Sequence, residues 1–214
     1  MTNRSEVYRR LLEQVKSYFK AEQVMFVTAE AENRSAAVLR GYEYGGETWH
    51  YLFRMPAVIG KKGITFAMQE GGMRSPAGIY TISQGFGTES PPEGIRLPYK
   101  QTSPHDYWVD DVTSEDYNRW VVYEGDPKAR WHSFERLHIP LYKYAAVIDY
   151  NEEAIPGKGS AIFLHIWPDP NGYTAGCTAV SEENLLRLLK WLTPEKHSVI
   201  IQGSNEQLHQ LLLP

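Results

Sequence analysis

Apolar and polar positions divide the chain into three stretches. In the first, Val7, Tyr8, Leu11, Leu12, Val15, Tyr18 and Phe19 recur at helical spacing with charge on the opposite side. That stripe predicts an amphipathic helix within residues 1–21, with Asn3 and Glu6 at the spacing of a helix-start cap. Glu6 and Glu13 oppose an anionic membrane surface, so the stripe is expected to pack on the rest of the domain. From residue 22 to about 165 the period shortens. The runs "QVMFVTA", "AAVLRGYEY", "TWHYLFRM", "GIYTIS", "AAVIDY" and "SAIFLHIW" read as strands, separated by Gly/Pro-rich turns such as "EGGMRSPAG" and "GFGTESPPEG". Residues 84–106 show weak periodicity and read as a long surface loop of the kind that sits over sites. The third stretch is helical again. Ser181 precedes "EENLLRLLKWL", with Leu185, Leu188, Leu189 and Leu192 on one face and two glutamates in the first turn. "SVIIQG" reads as a buried strand, and Ser204 with Gln207 has capping-box spacing for a short last helix.

Many short strands with helices only at the ends predict a mainly β fold with peripheral helices (α+β). We read residues 22–214 as one β-sandwich-like domain and residues 1–21 as a helix packed on it. At 214 residues the chain can bury a core without staples. A net charge of −4, with no block of like charges, argues against a nucleic-acid surface. A single cysteine allows no intramolecular disulfide. Charges interrupt every apolar run near the amino terminus, so no signal peptide or membrane span is expected, and the localisation stays open.

That cysteine, Cys177, lies in "TAGCTAVS" among small neighbours, which suggests a thiol that can be reached. A thiolate needs a base, and His165 stands one hairpin-like turn upstream, at the end of a predicted strand. If the two segments flank that turn, imidazole and thiol face each other, and Gly176 leaves backbone N–H groups open to an oxyanion. Such a set suits acyl transfer. On spacing alone, a core cysteine beside a hydrogen-bonded core histidine fits as well.

Beyond spacing, "HIWPDPNGYTAGC" resembles the signature of the L,D-transpeptidase catalytic domain (YkuD-like) family, through His165, Thr174, Gly176 and Cys177. "GGMRSPAGIYTI" is similar to a second family segment through Ser75, Pro76, Gly78 and Tyr80, and "YWVDDVTSEDYNRWV" to a branch carrying Asp-Asp and Tyr-Asn pairs. Together these motifs span about residues 55 to 192. The resemblance implies a cysteine enzyme acting on peptidoglycan stem peptides, which would place its work in the cell envelope. It implies Cys177 as nucleophile and His165 as general base oriented by the Ile166 carbonyl. Backbone groups of Ala175, Gly176 and Cys177 would surround the oxyanion. Arg74, Trp108, Asp111, Asn118, Trp167, Tyr173 and Thr174 are then candidates for the substrate cleft. Two positions depart from the pattern: Ala175 stands where many members have a second His, and Ala179 where many have Arg or Asn. The grip on substrate carboxylates then falls to other groups, Arg74 or Arg119.

Water in place of an amine acceptor would make the same site a carboxypeptidase or amidase. A peptide-binding module without chemistry is a further alternative. No cofactor or protein partner is expected. No metal is expected either, because His132 and His138 lack helix-borne zinc spacing. In "PGKGSA" Gly159 stands where a phosphate loop needs Ser or Thr after the Lys, and no G-x-S-x-G elbow is present. Asp110 and Asp111, adjacent on a presumed strand, would send only one carboxylate into a cleft. Tyr107 joins Trp108, Trp167 and Tyr173 as an aromatic for either cleft or core.

Overall fold

The computed structural model describes residues 4–213, so the Asn3 cap lies outside the described residues. Helix α1 (Arg4–Phe19) buries Val7, Tyr8, Leu11, Leu12 and Val15. Strands β1 (Gln23–Ala29), β2 (Ala36–Gly45) and β3 (Thr48–Val58) form an antiparallel meander. Short strands β4 (Ile64–Thr65) and β5 (Ser75–Pro76) pair in parallel, and the long β6 (Gly78–Gly87) carries β7 (Tyr99–Gln101) on its edge. A separate small sheet consists of β8 (Asp106–Trp108), β9 (Trp120–Val122) and, after the helical turn α2 (Pro127–Arg130), β10 (Glu135–Arg136). The chain then returns through β11 (Ala145–Ile148), β12 (Phe163–Ile166), β13 (Thr178–Val180), α3 (Glu182–Trp191), β14 (Val199–Gly203) and α4 (Asn205–Gln210).

The expected sandwich is corrected to a barrel. The main sheet runs β11-β12-β13-β3-β2-β1-β14-β6, and β6 pairs back with β11 through Phe86↔Ala145 and Gly85↔Ala146. Closure leaves no free edge along that ring, with β7 attached outside it. Met25, Val27, Leu39, Met55, Ile148, Leu164, Val180 and Ile200 from strands around the ring meet in one cluster, joined by the leucines of α3. Alternate residues of β1 and β14, among them Val24, Phe26, Val199 and Ile201, form a second cluster against α1. Both faces of these two strands are covered, which is why "QVMFVTA" and "SVIIQG" read as continuous apolar runs rather than alternating ones.

The caps read from sequence are present. Ser181 accepts from the Asn184 amide at 3.3 Å, and Ser204 and Gln207 form a reciprocal capping box. The 84–106 segment is more ordered than expected, because it includes the end of β6, all of β7 and the start of β8. Its strand-free part, 88–98, contributes nothing to the cavity described below.

Candidate active site

Strands β12 and β13 are parallel neighbours, with Leu164↔Thr178 and His165↔Ala179 in register. The turn between His165 and Cys177 is therefore a crossover and not a hairpin. Parallel pairing still sets Cys177 beside Phe163, whose amide donates to Sγ at 3.3 Å. The thiol donates in turn to the Ala161 carbonyl at 3.3 Å. The small neighbours of Cys177 in sequence do not expose it. It is 6% accessible, packed with Phe86, Tyr142, Ala145, Val147 and Phe163, because the residues around it in space come from β6, β11, β12 and the turn before β11. His165, likewise buried, opens with it into one cavity of about 650 Å³.

The loop before β13 is held from below. Ser75, fully buried, donates its hydroxyl to the Gly176 carbonyl at 2.6 Å and accepts from the Gly60 amide at 2.9 Å. Thr174 Oγ1 donates to the Cys177 carbonyl at 2.6 Å and accepts from the Gly176 amide at 3.2 Å. A side chain at Gly176 would start 3.0 Å from the Arg74 carbonyl and 3.2 Å from Ile162, which leaves no room for one without displacement. Ser75→Ala leaves buried polar groups without partners. We expect a loss of about 1–3 kcal/mol, read as a lower denaturant midpoint.

His165 Nδ1 lies 2.8 Å from the Ile166 carbonyl. A carbonyl only accepts, so Nδ1 carries the proton and Nε2 is the basic nitrogen. Burial pulls the imidazole pKa down to about 4, against a smaller upward pull from that carbonyl. Burial pushes the Cys177 thiol well up, and the charge of Glu135 adds to the effect. The resting pair is thus neutral thiol and neutral imidazole, with no hydrogen bond between them. Because the folded value of His165 lies below the ordinary 6.5, its contribution to stability is complete above about pH 6.5. It is lost as pH falls toward about 4, and the total is about 3 kcal/mol at most. His165→Gln should flatten the fall of the denaturant midpoint over that window.

The remaining candidates separate into two groups. Arg74, Tyr173, Thr174, Ala175 and Gly176 line the cavity. Trp108, Asp111, Asn118 and Trp167 do not. Asn118 sits behind the site, its Oδ1 accepting from the Trp108 indole at 2.8 Å and the Ala161 amide at 3.2 Å. Ala161 is held at φ 53°, a conformation that favours glycine, while its carbonyl accepts the hydrogen bond from the Cys177 thiol. Asp111 accepts from Thr113 Oγ1 at 2.7 Å and the His132 amide at 2.8 Å, bracing a loop, while its neighbour Asp110 lines the cavity. These two lie beyond the end of β8 and not on a strand. Trp167 donates its amide to the Val180 carbonyl, Tyr107 is core, and Arg119 is exposed.

Sequence reasoning passed over Glu135 and Tyr142. The Tyr142 hydroxyl donates to Glu135 at 2.7 Å, and its ring stands edge-on to His165 at 5.5 Å. Nothing in "FERLHIPLY" marks them, since no local period or spacing ties them to Cys177.

A model of the L,D-transpeptidase catalytic domain family, YkuD, matches residues 29–201. The chain belongs to the YkuD family. Among solved structures, this YkuD chain is similar to Bd1075 of Bdellovibrio bacteriovorus, at 16% identity and TM-score 0.44, over 89% of this chain and 54% of that one. It is also similar to the helical cell shape determining protein Pgp2 of Campylobacter jejuni, at 15% identity and TM-score 0.45, over 94% and 56%. It thus spans little more than half the length of either. No curated protein matches it. No helix among the described residues is long and apolar enough to cross a membrane.

Proposed function

We propose that this YkuD domain is a cysteine acyltransferase acting on peptidoglycan stem peptides of the cell envelope by L,D-transpeptidation. The observation that carries the reading is His165 on β12 and Cys177 immediately before the parallel neighbour β13, both open to one cavity, with the imidazole tautomer set by Ile166. A neutral base suits a neutral thiol. As sulfur attacks the carbonyl carbon of the stem's third residue, Nε2 takes the thiol proton and the carbonyl electron pair moves onto oxygen. The amides of Gly176 and Cys177 stabilise that oxygen, with the Gly176 amide leaving its long bond to Thr174. Collapse breaks the C–N bond to the terminal D-alanine, whose amine leaves with the proton held by His165. An amine then attacks the thioester and gives a proton to His165 Nε2, the S–C bond breaks, and His165 passes that proton to sulfur. Arg74, which lines the cavity and has no ion-pair partner among the described residues, is placed to hold the donor's terminal carboxylate.

Intact-mass spectrometry after mixing with a stem tetrapeptide tests this. The expected result is a gain equal to the acyl tripeptide, with release of D-alanine. Turnover of that adduct by an added amine marks a transpeptidase, and turnover by water alone a carboxypeptidase. Absence of both the adduct and released D-alanine would refute the reading.

A further inference from the structure

The charged groups of the cavity do not balance. Glu70, Asp110 and Glu135 line it on the acidic side, Arg74 and Arg136 on the basic side. Two of these five are committed elsewhere. Glu70 accepts from the Tyr117 and Ser160 hydroxyls at 2.6 and 2.8 Å. Arg136 donates to the Tyr107 hydroxyl at 3.2 Å and lies over the Tyr107 and Phe134 rings. Glu135 has only the Tyr142 hydroxyl, and no cation among the described residues pairs with it. Asp110 Oδ1 is shielded from solvent and has no hydrogen-bond partner at all.

Burial already opposes the thiolate that must form, and the charge of Glu135, which no cation among the described residues offsets, opposes it further. A buried acceptor without a donor is also costly in its own right. A cation arriving with the substrate removes both penalties together. Ligand chemistry narrows its kind: among the described residues no group of three His, Cys, Asp or Glu side chains is placed to hold a metal ion. The proposed reaction, by contrast, handles amines. We propose that Glu135 and Asp110 form a subsite for a primary ammonium group of the peptide substrate, so that substrate charge itself prepares Cys177 for attack. This rests on the acyltransferase reading and adds a specificity to it. Glu135 is held at the border of ionisation near neutral pH, its pKa pushed up to about 7 by burial and by Asp110 and Glu70, so an entering cation draws it into the charged form. The ammonium can belong to a diamino residue of the donor stem or to the acceptor, and the two are separable.

Two donor tetrapeptides that differ only in a free or acetylated side-chain amine are titrated calorimetrically into Cys177→Ala protein at pH 7. The free amine should bind at least about tenfold tighter, a gap of about 1.4 kcal/mol. Adding Glu135→Gln, which retains an acceptor for Tyr142, should close that gap. Asp110→Asn provides a second variant should Glu135→Gln fail to fold. If the donor pair binds equally, the acceptor arm decides: in the otherwise unmodified enzyme, Glu135→Gln should shift thioester turnover from amine toward water about tenfold. No response in either arm overturns the subsite. Thioester formation without discrimination in either arm leaves the acyltransferase standing and this proposal refuted. Glu135-dependent binding without any thioester does the reverse.

Discussion

Cys177→Ala protein gains no mass from a stem tetrapeptide and releases D-alanine at least about a thousandfold more slowly than the parent, because no other side chain in the cavity supplies a nucleophile of comparable strength. The stability cost should be small despite the burial of Cys177. The substitution removes one sulfur from a cluster dominated by Phe86, Tyr142 and Phe163, together with two long hydrogen bonds to sulfur. We expect about 1 kcal/mol, read from denaturant midpoints. A loss beyond about 3 kcal/mol with unchanged turnover would identify a packing thiol and remove the nucleophile from the proposed mechanism.

The second large effect lies under the site. Gly60→Ala would put a methyl group 2.7 Å from the Arg74 Cα and 2.8 Å from the Met73 carbonyl, both backbone atoms that cannot swing aside. The Gly60 amide is bonded to Ser75 Oγ, and Gly60 bridges Thr174, so three segments that carry the Cys177 loop must separate together. The expected loss is about 2–4 kcal/mol, with slower thioester formation from whatever remains folded. Gly45→Ala is the matched control. It meets nothing within 4 Å, so its midpoint should stay within about 0.5 kcal/mol of the parent. Equal midpoints for the two variants would show that the contact at Gly60 yields freely.

Both predictions depend on how loops separated in sequence meet, and they bear on what could be read beforehand. Elements whose signal is local were legible. The α1 stripe, the Ser181 cap, the Ser204/Gln207 box and the strands of the meander follow from periodicity and from side chains bonding to backbone three residues away. The order His165, Thr174, Gly176, Cys177 was legible as well, since all four lie within one short segment. The distant groups were not. Trp108, Asn118 and Asp111 looked like cleft residues but stand behind the cavity or brace a loop, whereas Glu135 and Tyr142 carried no mark and line it.

By itself, then, the sequence determined the kind of elements, their caps and the short segment that carries both His165 and Cys177, because those depend on residues close together in the chain. Only the tertiary structure decided that the sheet closes into a barrel through β6 and β11, and that β12 and β13 run parallel. It also decided that Cys177 is buried, which raises its pKa, with the charge of Glu135 adding to the rise. Those outcomes depend on which apolar faces meet across long separations, and on the loss of water where they do, neither of which a local pattern encodes.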